Sequence, residues 1–179
     1  MTTTETDTHS LLGRILGSRE AEEFLAWPGD FEPSRSGQCE AIRLPSGTPL
    51  QAVAGDGNGG TYYQAGAGAG AGRPVLYVSS EGEGGLIAAS LPEALELLIG
   101  LPYWQDCLPG RDFPVAELEA EYGSTFPDLD ERRDRVTTLL GLSRPDTPEL
   151  LRRLHTSLSR TTPHYLPLGP HGDPYTPLT

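Results

Sequence analysis

Lysine is absent from this chain of 179 residues, so all 13 of its basic residues are arginine, against 25 aspartates and glutamates. The formal net charge is −12. Proteins that hold a nucleic-acid backbone need clustered cations, and so few arginines among so many acids cannot form a basic face. The composition therefore argues against direct nucleic-acid binding. It does not exclude a basic protein partner, because an acidic surface attracts one and speeds the encounter.

Cysteine and long apolar runs are scarce as well. Cys39 and Cys107 lie far apart with no second pair nearby, which excludes a CxxC zinc site and argues against a disulfide framework. No stretch approaches the roughly 18 uninterrupted apolar residues that a membrane span needs. Residues 1–9 contain no cationic segment leading into an apolar one, so no signal peptide is predicted. We expect a soluble, cytoplasmic protein, and the near-absence of residues with AT-rich codons indicates a high-GC bacterial gene.

Glycine is abundant, with 22 residues, and it divides the centre of the chain into short segments. Residues 50–54 and 61–63 have the character of strands and flank a glycine-rich turn. A Gly/Ala loop over residues 66–72 follows. Residues 74–78 form a nearly continuous apolar run, which is typical of a strand buried on both faces. Strands that alternate with glycine turns predict an antiparallel meander.

Leucines at helical spacing predict several helices around this meander. Ser90 and Glu93 form a capping box, and Gly100 ends the helix that follows. On that helix we expect Leu95 to face the sheet and Leu97 to lie on the opposite face. The other predicted apolar faces are those of Leu11, Leu12, Ile15 and Leu16, of Phe24 and Leu25, of Val115, Leu118 and Tyr122, of Leu129, Val136, Leu139 and Leu140, and of Leu150, Leu151, Leu154 and Leu158.

These patterns divide the chain into three parts. Residues 1–9 are predicted to be a disordered leader. Residues 10–160 are predicted to form a single α+β domain, with a helical extension at about 112–160. Residues 161–179 contain five prolines and no apolar period. We expect this tail to be disordered or laid extended over the body, and to add little to the core.

No motif in the chain predicts catalysis or a cofactor. Gly55-x-Gly57-x-x-Gly60 matches the dinucleotide fingerprint, but Thr-Tyr-Tyr follows it instead of a helix, so a turn between strands is the better interpretation. The same segment fails as a calcium loop because Ala67 stands where the closing acid belongs. The four histidines lack partners at metal-ligand spacing. We therefore expect no catalytic, cofactor-binding or metal-binding residues.

Three motifs lie between residues 55 and 99. The first, from Gly55, is GDGxGGxYY, the second, from Arg73, is RPVLYVSSE, and the third, from Ile87, is IAASL, which leads into an amphipathic helix. In this order they resemble the SUKH superfamily, which includes the Smi–Knr cell-wall regulator family. The resemblance covers about a quarter of the chain. It implies an α+β fold with one mostly antiparallel, twisted sheet packed by helices, to which this chain adds C-terminal helices.

Members of that superfamily are regarded as immunity proteins that neutralise bacterial toxins, many of them nucleases, and they share no active site. The resemblance therefore implies a non-enzymatic module that occludes a basic toxin domain. Candidate partner-binding residues are the acids Asp56, Glu81 and Glu83, and the aromatics Tyr103 and Trp104. Aromatic residues just beyond a helix end are more often lids over a core than anchors of an interface. A regulatory adaptor without a toxin partner, or an enzyme whose site is assembled from scattered residues, remains an alternative.

Overall fold

The computed structural model describes residues 11–37, 41–67, 70 and 72–179. It has an α+β fold, as predicted, and its helices occur at or near the predicted places. They are α1 (residues 11–16), α2 (Arg19–Ala26), α3 (Leu91–Gly100), α4 (Val115–Thr125), α5 (Leu129–Leu140) and α6 (Thr147–Ser159). Two short 3₁₀ helices, Pro33–Arg35 and Trp104–Cys107, lie in the connections. The predicted disordered leader falls outside the described residues.

The described strands form one mixed sheet in the order β1-β2-β3-β4-β5. They are β1 (Leu50–Gly55), β2 (Thr61–Ala65), β3 (Val75–Val78), β4 (Glu83–Ala88) and β5 (Thr176–Pro177). The first four strands pair antiparallel with their neighbours, which confirms the predicted meander. The fifth pairs parallel with β4, so the described sheet is mixed.

Side-chain N-caps fix the starts of α3 and α6. The Ser90 hydroxyl accepts a hydrogen bond from the Glu93 N–H at the start of α3 (3.3 Å). Asp146 accepts one from the Glu149 N–H at the start of α6 (2.9 Å). Asp128, which also precedes a helix, makes no such bond. A polar side chain at an N-cap satisfies one of the first N–H groups, which have no partner within the helix.

The main core lies between the helices and one face of the sheet, and α3 is at its centre. Leu95 is fully buried, as expected, but Leu97 is only 3 % exposed. The face opposite Leu95 is therefore buried as well, because α3 contacts β4, α5 and α6 and has buried residues around its circumference. Conversely, Leu16 and Leu139 are exposed although their spacing placed them on apolar faces. Helical spacing identifies which residues share a face of a helix, but it does not show which of those faces other elements cover.

The tail packs on the sheet. Leu178 is 4 % exposed and belongs to the main core, so the expectation that the tail adds little to the core does not hold for this residue. The Thr161 hydroxyl accepts a hydrogen bond from the Leu86 N–H on β4 (3.0 Å). On the other face of the sheet, Tyr165 covers a small cluster formed by Leu44, Ala65, Leu76 and Leu86. The tail is thus laid extended over the body, one of the two forms expected.

Candidate functional site

Two turns lie side by side at one end of the sheet. Residues 56–60 connect β1 to β2, and residues 79–82 connect β3 to β4. Because Thr61 at the start of β2 pairs with Val78 at the end of β3, both turns are at the same end. The Ser80 hydroxyl donates a hydrogen bond to the Asn58 carbonyl (2.9 Å) and joins them. The glycine motif therefore forms a turn between strands, as predicted, and we call this region the turn end of the sheet.

Asp56 organises the first of these turns from inside. One of its carboxylate oxygens accepts hydrogen bonds from the N–H groups of Gly60 (2.6 Å) and Asn58 (2.9 Å), and the other accepts one from the Tyr77 hydroxyl (2.5 Å). Burial and the bond to Asp56 raise the pKa of Tyr77 far above its usual value. Since Asp56 is only 2 % exposed, we do not retain it as a partner-binding residue. Its side chain holds the turn.

The two glutamates predicted to bind a partner have different surroundings. Glu81 lies in the second turn and is exposed. Glu83 is the first residue of β4 instead of part of an open loop, and it forms an ion pair with Arg111 (3.5 Å). The next residue, Gly84, is buried in that strand. Of these two candidate partner-binding residues, Glu81 is therefore the exposed one and Glu83 is partly buried.

The two predicted aromatic residues belong to the core. Tyr103 and Trp104 are 2 % and 1 % exposed. The Trp104 ring packs edge-on against Tyr77, with 5.2 Å between ring centroids. The Tyr103 hydroxyl donates a hydrogen bond to Glu119 (2.6 Å). In this structure both residues are lids over the core, the interpretation that their position beyond a helix end favoured.

A cleft of about 250 Å³ opens beside these lids at the turn end of the sheet. We call it the Trp27 cleft, and its outer wall is formed by Trp27, Asp30, Asn58, Asp106, Arg111 and Tyr122. Trp27 ends α2 and is 59 % exposed, an unusual degree for so large an apolar side chain. Phe126 supports its ring, with centroids 5.9 Å apart. Trp27 is not among the predicted site residues, although the sequence has a tryptophan directly before a proline at a predicted helix end.

Two carboxylates face the cleft. Asp30 accepts a hydrogen bond from the Gly57 N–H (2.8 Å), and burial raises its pKa. Asp106 is partly buried and accepts no hydrogen bond from a residue of the described ranges. Burial, and next the charge of Asp106, raise the pKa of Tyr122 on the opposite wall. The electrostatic character of the cleft is therefore negative.

A second charged cluster lies among α4, α5 and the end of α3. The Arg133 side chain, 4 % exposed, donates hydrogen bonds to the Ile99 (3.1 Å) and Gly100 (2.9 Å) carbonyls and to both oxygens of Glu119 (2.5 and 3.0 Å). Asp130 is a further acceptor at 3.2 Å. The hydrogen bond to Arg133 lowers the pKa of Glu119. We call this group the Arg133 network, and its groups bind one another.

Cys107 is the cysteine that the structure describes, and it is partly buried. Burial, and next the charge of Asp106, raise the pKa of the Cys107 thiol to about 11, so at neutral pH it is not a thiolate. Cys39 lies outside the described residues. Among the described histidines, cysteines and acids, no group of three is placed to hold a metal ion. None of the described helices has the length and apolar character needed to cross a membrane.

Comparison with known proteins gave no relative. No family model matches this chain, and the searches of the curated proteins and of the solved structures found no match.

Proposed function

We propose that this protein is a non-enzymatic binding module of the immunity type, which acts in the bacterial cytoplasm by occluding a basic toxin domain of nuclease type. The SUKH-like motifs of residues 55–99 support this proposal. The observation that carries it is the turn end of the sheet, where carboxylates outnumber guanidinium groups. Among the described residues there, the acids are Asp30, Glu32, Glu81, Glu83, Asp106 and the buried Asp56, and the basic residues are Arg35 and Arg111.

The charge balance of this surface suits a basic partner. Arg35 and Arg111 form ion pairs with Glu32 and Glu83, which leaves the other acids uncompensated by these two cations. A nuclease must present a positive surface to its phosphate substrate. An acidic surface attracts that same region, accelerates the encounter and covers the substrate-binding face.

An experiment in two stages tests the proposal. The protein is first used as bait in a lysate of its native host, and captured proteins are identified by mass spectrometry. We expect a basic protein whose nuclease activity disappears when this protein is added in stoichiometric amounts. Capture of a partner without toxic activity would instead support a regulatory adaptor. Turnover of a substrate by this protein itself would support an enzyme.

The second stage measures association of the purified pair by surface plasmon resonance. Glu81→Arg should slow association several-fold at low salt and less at high salt, because exposed charges act at long range and are screened. The matched control is Glu93→Arg, the same charge change at the opposite end of the sheet, near the start of α3. Equal effects of both variants, or none of either, would contradict an interface at the turn end of the sheet.

A further inference from the structure

We infer that the Trp27 cleft receives a cationic side chain of the partner, an arginine in preference to a lysine. This inference rests on the proposed function, since it assigns a specific contact to the same surface. At about 250 Å³ the cleft is smaller than the usual pocket for a cofactor or drug-sized ligand. Its size suits the end of one long side chain.

The aromatic wall supplies a face for a cation. Trp27 is 59 % exposed, and its ring packs against Phe126 with 5.9 Å between the ring centroids. It can therefore offer a ring face to a ligand without moving. Tyr122, whose ring packs against Tyr103 at 5.3 Å, forms another part of the wall. Tryptophan is the best aromatic partner for a cation, and a planar guanidinium stacks on it better than an ammonium.

The carboxylates supply hydrogen-bond acceptors for the same group. Asp106 accepts no hydrogen bond within the described ranges, so both of its oxygens remain for a ligand. The Asp30 carboxylate is fixed by the Gly57 N–H (2.8 Å) through only one of its oxygens. A guanidinium fork matches carboxylate geometry, and such charge-assisted bonds are about twice as strong as neutral ones.

Arg111 is the one cation on the cleft wall, and it is engaged elsewhere. Its guanidinium contacts Glu83 at 3.5 Å, so the Glu83 charge offsets it. Asp30 and Asp106 then leave the wall with an excess of negative charge. An anionic ligand would meet repulsion from both, and a neutral one would leave the Asp106 charge uncompensated on desolvation.

The probe is a capped hexa-arginine peptide, with hexa-lysine and hexa-citrulline peptides for comparison, titrated into the ¹⁵N-labelled full chain at 150 mM salt. The protein contains two tryptophans, so the indole N–H region of the NMR spectrum holds an exposed reporter, Trp27, and a buried one, Trp104. Trp27→Phe assigns the signals. We expect hexa-arginine to cause saturable chemical-shift changes that are larger for the indole N–H of Trp27 than for that of Trp104. Hexa-arginine should bind about threefold more tightly than hexa-lysine, and the neutral citrulline peptide should not bind.

Two variants that change the charge of the cleft wall in opposite directions test whether binding depends on that charge. Asp106→Asn should weaken hexa-arginine binding about three- to tenfold, and Arg111→Gln should strengthen it, because the first removes a negative and the second a positive charge from the wall. The matched control is Glu93→Gln, which removes one negative charge at the far end of the sheet and keeps the capping box. It should change the dissociation constant by less than about 1.5-fold.

Failure of this inference is distinguishable from failure of the proposed function. If Trp27 is unaffected by the peptide, or if Asp106→Asn and Glu93→Gln weaken binding equally, the cleft is not a cation site, even when a basic toxin is captured. If the cleft binds hexa-arginine as described and the lysate yields no basic toxin, the cation site stands and the proposed function fails.

Discussion

The helical side of the molecule and the turn end of the sheet use their carboxylates in opposite ways. Among α3–α6 several acids are paired with arginine: Arg133 contacts Glu119 and Asp130, and Arg153 contacts Glu96 and Glu149. At the turn end, Asp106 has no such partner in the described ranges. One region therefore holds a network of paired charges around a buried arginine, and the other includes carboxylates, those of Asp106 and Glu81, that form no ion pair with a described residue.

The difference indicates which charges serve the fold and which are available to a partner. A buried guanidinium must be compensated, because an unpaired charge in a low-dielectric interior is very costly. Arg133, 3 % exposed, meets that condition through carbonyls and carboxylates of its neighbours. Exposed acids such as Glu81 are hydrated and need no partner within the chain. We therefore expect substitutions on the helical side to change stability and those at the turn end to change binding.

The largest loss of stability is expected for Arg133→Met, which retains much of the buried volume but removes the guanidinium. The Ile99 and Gly100 carbonyls would lose their donors, and Glu119 its buried partner. We expect the free energy of unfolding in urea to fall by about 3–5 kcal/mol. Arg152→Met is the control, since its pair with Glu149 lies at the surface, and it should leave the free energy of unfolding nearly unchanged. Similar losses for both variants would contradict a structural role for the network.

The next largest loss of stability is expected for Asp56→Ala. This variant tests the one acid of the turn end to which we assign a structural role. The Gly60 N–H and the Tyr77 hydroxyl would lose a buried acceptor, which should cost about 2–3 kcal/mol in the same measurement. Glu81→Ala in the neighbouring turn removes an exposed carboxylate and should cost less than about 0.5 kcal/mol. If the two cost the same, Asp56 is not the structural acid of this region.

The elements predicted well are those specified by neighbouring residues. The capping box Ser90–Glu93 fixes the start of α3, and the apolar run Val75–Val78 is a strand with every residue buried. Both signals are complete within a few residues of sequence. The α+β fold and the meander follow from signals of this kind.

The elements missed depend on residues that are distant in the chain. β5 is only two residues long, and nothing in its Pro-rich surroundings indicates that Leu178 enters the core. The Trp27 cleft combines the end of α2, a turn of the meander and the segment after α3. The burial of Asp56 has no signal in its neighbouring sequence, because its hydrogen bond to Tyr77 joins residues 21 positions apart. Composition identified the acidic character but not which acids are buried.

A smaller effect is expected from pH. The hydrogen bond from Arg133 depresses the pKa of Glu119 in the folded protein. The resulting stabilisation is fully present above the pKa of the unfolded chain and is lost as the pH falls through the lower folded pKa. In Glu119→Gln this acid-dependent loss should be smaller than in the unaltered protein, measured as the fall in unfolding free energy between pH 6 and pH 3. An unchanged pH dependence would show that Glu119 does not contribute to the acid response.

The smallest change in stability is expected for the double variant Glu81→Gln/Asp106→Asn at the turn end. Neither carboxylate forms an ion pair with a described residue, so the free energy of unfolding should stay within about 0.5 kcal/mol. Any change should be a slight gain at low salt, because two like charges are removed from an acidic surface. Urea unfolding at 20 mM and 500 mM salt measures both the change in unfolding free energy and its dependence on salt. A loss above about 1 kcal/mol would mean that these acids support the fold. Unchanged stability combined with weaker binding of the hexa-arginine probe would instead show that their negative charge serves a partner.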